Sequence, residues 1–222
     1  MTFTIVARDP TTRSIGAAVS TASAACGKRV IHHRPGVGLV VTQGKTNVSY
    51  GVQGLALLHD GFGPRQALEA LTHLDQNREY RQVLMTDLAA NWSVFTGDRT
   101  EPWRGHLTTS DFVVMGNTLA GSEVLDAMAA AFQDSSGSLA SRLMNALLSG
   151  DKAGGDREGK RSAALFVSSP DQFQPYGALL DLRVDFDPAP VTKLADTLRA
   201  YCEWETAQLA RIDRRLYYFE RE

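Results

Sequence analysis

Apolar and polar residues alternate through TFTIVAR, which puts Phe3, Ile5 and Ala7 on one face and Thr2, Thr4, Val6 and Arg8 on the other. That period of two predicts a strand with one face in a core. DPTTRSIG supplies turn residues and SIGAAVSTAS a second strand, so the pair reads as a hairpin. VIHH and VGLVVTQ, separated by RPG, predict two more strands. From Tyr50 the period lengthens: Leu55, Leu58, Ala67, Leu68 and Leu71 fit two short helices divided by DGFGP. YRQVLMTD, NWSVFTGD and DFVVMGN return to strand character. Ala120 to Phe132 and Leu139 to Leu148 predict two helices, the first with Ser122 as N-cap. RSAALFVSS and ALLDLRVDF are the last strands. A C-terminal helix then carries Leu194, Leu198, Tyr201, Leu209, Ile212, Leu216 and Phe219 at helical spacing.

Strands and helices therefore come in groups, which argues for antiparallel sheets covered by helices rather than an alternating parallel fold. Two sheets between two helical layers would bury this many apolar strands. The boundaries expected are a main domain over residues 1–189 and a helical extension over 190–222, whose Tyr217, Tyr218 and Phe219 suit docking on the body or on a second subunit, and so a homo-oligomer.

Composition narrows the function more than the fold. The chain has 222 residues, 43% of them hydrophobic, and a net charge of −2. That balance gives no electrostatic case for a nucleic-acid or anionic-membrane partner, and no apolar run approaches the ~20 residues that span a bilayer. The start lacks the basic and apolar regions of a signal peptide. Cys26 and Cys202 stand apart and read as free, buried thiols in a reducing cytoplasm. His32, His33, His59, His73 and His106 are scattered without metal-ligand spacing, and His32 and His33 would point to opposite faces of one strand; neither a metal nor another cofactor is expected.

Candidate chemistry begins at Thr2. A small side chain favours removal of Met1, and the exposed α-amine, with a reference pKa of about 8, is partly neutral at pH 7. A threonine hydroxyl beside its own amine is a nucleophile and base in one residue; a retained Met1 turns that amine into an amide and blocks the chemistry. The other reading of Thr2 is an ordinary strand residue. Asp9 and Lys28 (or Arg29), at the ends of the first two strands, are candidates for an ion pair that tunes the amine. Thr42, Gln43, Asn47, Ser49 and Tyr50 lie in TQGKTNVSYG, a loop able to offer amides and backbone N–H groups to a substrate or to cap a helix. Asn117 sits at a strand end before a helix, a place for an oxyanion donor or a turn. In GGDREGKRS, Asp156 can accept from an α-ammonium and Ser162 can relay a proton, though such stretches are often surface turns. His106 in PWRGH completes the candidates.

Four ordered stretches, TFTIVARDP, VTQGKTNVSYG, GNTLAGSEVLDAMAAAF and GGDREGKRSAAL, together resemble domain of unknown function 1028, over roughly residues 2 to 186. That family is similar to the N-terminal-nucleophile hydrolases. The resemblance implies an α+β fold, a four-layer αββα sandwich, and an amide hydrolase with Thr2 as nucleophile. It implies no substrate. Glu158 and Arg161 stand where the family's last motif usually has Arg and Gln.

The function expected is hydrolysis of a small-molecule amide, with Thr2 attacking, its amine as base, and a backbone N–H with Asn117 holding the oxyanion. The alternatives are a non-catalytic small-ligand binder on the same fold and a structural subunit of an oligomer.

Overall fold

The computed structural model describes residues 2–168 and 180–209. Strands β1 (Thr2–Arg8) and β2 (Ile15–Thr21) form the expected hairpin, followed by helix α1 (Cys26–Val30), β3 (Ile31–Arg34) and β4 (Gly38–Gly44). Helices α2 (Ser49–His59) and α3 (Pro64–Leu74) precede strands β5 (Arg81–Asp87), β6 (Trp92–Thr96), β7 (Gly105–Thr108) and β8 (Phe112–Asn117). Helices α4 (Glu123–Asp134) and α5 (Leu139–Lys152), strands β9 (Ser162–Ser168) and β10 (Leu180–Val184), and helix α6 (Pro190–Leu209) follow. The fold is mixed α+β with two antiparallel sheets and a C-terminal helix. One sheet runs β10-β9-β2-β1-β8-β7 and the other β3-β4-β5-β6.

The alternation in β1 decides what each face touches. Phe3, Ile5 and Ala7 lie in an apolar cluster with Val124, Met128, Leu143 and Leu147 of α4 and α5. Val6, on the other face, joins Val19, Leu39, Val41, Leu84 and Met115 between the sheets. A third cluster seats Leu55, Leu58, Leu68 and Leu71 of α2 and α3 on Val40, Val83 and Met85. Each fully buried aliphatic side chain contributes ~1.5–3 kcal/mol relative to exposure, so β1, with Phe3, Ile5 and Ala7 on one face and Val6 on the other, is anchored from two sides. Val191, Leu194 and Leu198 of α6 are buried in the same cluster as Phe3, so this helix packs on the body from its first turn. The expected contacts of Ile212, Leu216, Tyr217, Tyr218 and Phe219 lie outside the described residues, as does Met1.

Three local departures have local causes. CGKRV forms a helical turn where a strand end was expected, because Ala25 adopts a left-handed conformation (φ 56°) and Ser162 Oγ accepts from the Cys26 N–H at 3.1 Å. A partner 136 residues away is invisible to local pattern. Ser122 precedes α4 without a side-chain cap, whereas Ser138 caps α5 by accepting from the Ser141 N–H. GHLT, unremarkable in sequence, becomes edge strand β7 by pairing with β8.

Candidate active site at the start of an interior strand

β1 lies inside the larger sheet, so its first residue is flanked on both sides. Thr2 pairs with Thr21 of β2 and Asn117 of β8, and Thr21 pairs in turn with Ser162 of β9. A row of polar residues thus crosses four strands. Thr2 is 4% exposed and its Oγ1 donates to Thr21 Oγ1 at 3.2 Å. Above the row opens a cavity of about 290 Å³, lined among others by Thr2, Thr21, Cys26, Arg29, Lys45 and Thr46. Asp156 sits one residue beyond the row. Its Oδ2 accepts from the Ala22 N–H at 3.2 Å and its Oδ1 from the Glu158 N–H at 2.9 Å. Burial raises the Asp156 pKa above the ordinary carboxylate value.

The turn that closes the cavity depends on Gly44. It adopts φ +83°, and a Cβ there would lie 2.7 Å from the Tyr80 carbonyl oxygen. The Lys45 N–H donates to that carbonyl at 2.9 Å, which fixes Lys45 and Thr46 over Thr2.

Beneath Thr2 the space between the sheets is polar. Thr4 Oγ1 donates to Gln43 Oε1 at 2.6 Å, and Gln43 Nε2 donates to Gln82 Oε1 at 2.8 Å. Asn117 Nδ2 donates to the same Gln82 oxygen at 3.1 Å. Gln82 Nε2 reaches Thr96 Oγ1 and the Gly105 and Gly116 carbonyls at 3.0–3.1 Å. All four of Thr4, Gln43, Gln82 and Asn117 are at most 1% exposed. Gln82 is the hub, and no sequence motif marks it. Its signal is a glutamine two residues before Leu84, on a buried face of β5.

The expected site residues divide. Thr2, Asn117 and Asp156 come together, and Ser162 supports them from the end of the row, donating to the Ser23 carbonyl at 2.6 Å while holding the Cys26 N–H. Gln43 lies under the row as described. Asp9 does not join them. It ends β1 seven residues from Thr2, ~23 Å along an extended chain, where Oδ1 caps a turn by accepting from the Thr11 and Thr12 N–H groups. Lys28 also points elsewhere, into a cavity with His32, His33 and Phe166; the cations lining the Thr2 cavity are Arg29 and Lys45. In helix α1 adjacent residues 28 and 29 point about 100° apart.

Thr42 donates to the Asn47 carbonyl, and Asn47 Oδ1 accepts from the Ser49 N–H at the start of α2, so both serve the helix entry. Tyr50 donates to Asp75 Oδ2 at 3.1 Å on the α2–α3 side, and burial pushes its pKa up. His106, on edge strand β7, is exposed and meets Thr96 Oγ1 at 3.2 Å. Cys26 is buried and free, its thiol pushed up to about 11 by burial, so it stays protonated beside Thr2. Cys202 is exposed rather than buried. Among the described residues no group of three or more His, Cys, Asp or Glu is placed to hold a metal ion, and no helix is long and apolar enough to cross a membrane.

Residues 2–194 match the model of a family of unknown function, DUF1028. A crystal structure of protein SPO2555 from Silicibacter pomeroyi, assigned to that family, is 32% identical, covers 91% of this chain and 92% of its own, and superposes with a TM-score of 0.82. Anbu (ancestral beta-subunit) from Yersinia bercovieri is 12% identical, with coverage of 95% and 97% and a TM-score of 0.41. Anbu from Hyphomicrobium sp. strain MC1 is 12% identical over 99% and 100%, with a TM-score of 0.42. Likenesses this low carry no argument. No curated protein matches the chain. The extent of the family match and the close superposition on SPO2555 agree: the chain belongs to the DUF1028 family.

Proposed function

We propose that the protein is an N-terminal-nucleophile amide hydrolase acting on a small molecule, its sheets and helices layered as an αββα sandwich, and that Thr2 becomes the first residue once Met1 is removed. The observation that carries this reading is the position of Thr2: first residue of an interior strand, in a polar row, at the floor of a cavity. A strand end serving only the fold needs none of these.

In the proposed reaction the Thr2 Oγ proton passes to the α-amine as Oγ bonds to the amide carbon. Collapse breaks the C–N bond, and the leaving amine takes that proton. Water then hydrolyses the Thr2 ester, releasing the acid and restoring the hydroxyl. In this reading the oxyanion is held by a backbone N–H of the Gly44–Thr46 turn, other than the Lys45 N–H that Tyr80 takes, and by Asn117, whose Nδ2 also donates to Gln82. Arg29, which lines the Thr2 cavity, takes the role expected of Lys28: a nearby cation lowers the amine pKa. Asp156 is assigned to accept from the amine; what supports this is its bond from the Ala22 N–H, one residue beyond the Thr21 that pairs with Thr2. The catalytic form needs a neutral amine, so turnover rises as pH passes upward through the amine pKa.

A panel of small amides tests this on wild type, Thr2→Ala and Asn117→Ala. Loss of one oxyanion donor costs ~3 kcal/mol of barrier, so Asn117→Ala is expected to turn over roughly 100-fold slower and Thr2→Ala not measurably. Equal hydrolysis by all three overturns the proposal. Self-association belongs with the same reading: Phe186 and Trp204 are 72% and 58% exposed and suit a subunit contact, which light scattering on the full chain checks.

A further inference from the structure

Across the Gly44–Lys45 turn from the Thr2 cavity lies a smaller one of about 220 Å³. The two share Gly44 and Lys45, and Asn117, the cross-strand partner of Thr2, lines the second. Its volume is below the roughly 300 Å³ at which sites for drug-sized ligands begin, so it suits a small group attached to whatever occupies the Thr2 side.

Thr118 shows that this cavity is more than a gap in packing. It is 1% exposed, yet holds φ +58°, a left-handed conformation that β-branched residues rarely adopt. Its N–H donates to the Glu101 carbonyl and its carbonyl accepts from the Arg157 N–H, both at 3.0 Å, so the backbone is fixed in that state. The strained residue lines the cavity, and its buried Oγ1 has no hydrogen-bond partner among the described residues. Buried hydroxyls are almost always satisfied, so this one calls for a partner from outside the chain.

The walls say what kind. Lys45 Nζ lies 4.5 Å and the Arg99 guanidinium 5.8 Å from the Tyr80 ring centre, a cation–π arrangement that holds both positive charges over one wall. Glu101 and Glu158 line the same cavity. Among the described residues none of these four charges enters an ion pair. Two unpaired charges of each sign disfavour a simple anion and a simple cation alike, and suit a ligand that carries both.

We infer that this cavity is a subsite for the free ammonium and carboxylate of an amino-acid head group, with the Thr118 hydroxyl as an added hydrogen-bonding partner. The molecule presented to Thr2 is then an amide borne by an amino acid whose own head group is unblocked. The connection to turnover rests on the proposed role of Thr2; the binding site does not.

Calorimetric titration of the full-length Thr2→Ala protein separates the two. L-glutamine, which joins an amide to a free head group, is expected to bind. N-acetyl-L-glutamine, lacking the ammonium, and L-glutamine methyl ester, lacking the carboxylate, are expected to bind at least tenfold more weakly. Adding Thr118→Val is expected to weaken L-glutamine at least tenfold while raising the ligand-free melting temperature, because it removes an unpaired buried hydroxyl. Arg99→Gln, at an exposed position, is expected to weaken binding at least threefold without affecting folding. No binding of L-glutamine, equal binding of the blocked analogues, or unchanged affinity in both variants overturns the subsite. Loss of hydrolysis alone bears on Thr2 and leaves the subsite standing.

Discussion

The space between the two sheets is dry at one end and built of amides at the other, along the same strands. On β8 the inward face reads Val113, Met115, Asn117; on β4, Leu39, Val41, Gln43; on β1, from the far end, Val6, Thr4, Thr2. Leu84 and Gln82 make the same change on β5. The apolar end needs only volume, and packing of that kind tolerates substitutions of similar size. At the amide end each side chain is held by direction, and each lost partner leaves a buried polar group exposed to the full desolvation cost. The second kind of construction costs more and fixes angles better. It occurs where Thr2 sits.

Substitutions at the two ends separate stability from turnover. The largest effect belongs to Thr2→Ala: turnover falls by about three orders of magnitude or more, while the melting temperature barely moves. Gln82→Leu comes next. It removes the acceptor shared by the Gln43 and Asn117 amides, at ~1–3 kcal/mol per lost bond, so thermal unfolding is expected roughly 10 °C lower, and the folded fraction is expected to turn over slowly because Asn117 has lost one brace. Leu84→Ala at the dry end removes a comparable ~2–5 kcal/mol, but kcat of the folded protein is expected to be unchanged. If Leu84→Ala slowed turnover as much as Gln82→Leu, the two ends would not differ in kind.

Smaller effects sharpen the contrast. Thr4→Val leaves Gln43 Oε1 without its donor and is expected to cost ~1–2 kcal/mol in denaturant unfolding. Asp9→Ala, at the far end of β1, is expected to leave turnover untouched. The Thr12 N–H holds the Asp9 carboxyl below its usual 3.8. Its contribution to stability is therefore complete above that value and lost as pH falls through the lower folded value. Wild type and variant are expected to converge in stability as pH falls through that lower value and to differ slightly at neutrality.

Much of this architecture was legible in the sequence. The period of two in TFTIVAR placed Phe3 and Val6 in different clusters, as observed. The helices around Leu55, Leu68, Met128 and Leu147 followed from spacing. What escaped was nonlocal. The helical turn at Cys26 depends on Ser162, and strand β7 exists because β8 offers it an edge. In the candidate site, Thr2 and Asn117 are cross-strand neighbours and Asp156 bonds to the Ala22 N–H, an arrangement in which strand ends and a glycine-rich loop gather. Asp9 lies far from Thr2 because the whole length of β1 separates them. Lys28 gave way to Arg29 because one residue of helical turn rotates a side chain by about 100°. Gln82 was passed over because a lone glutamine in an apolar strand carries no motif; only its five bonded neighbours in space reveal it.

The central claim concerns the hydroxyl and amine of Thr2, and mass spectrometry of protein expressed with its native start addresses both at once. The account predicts an intact mass one methionine short and, after exposure to an electrophilic β-lactone, a single adduct on the Thr2 peptide that is absent from Thr2→Ala. Retained Met1 with an unmodified Thr2 would contradict it.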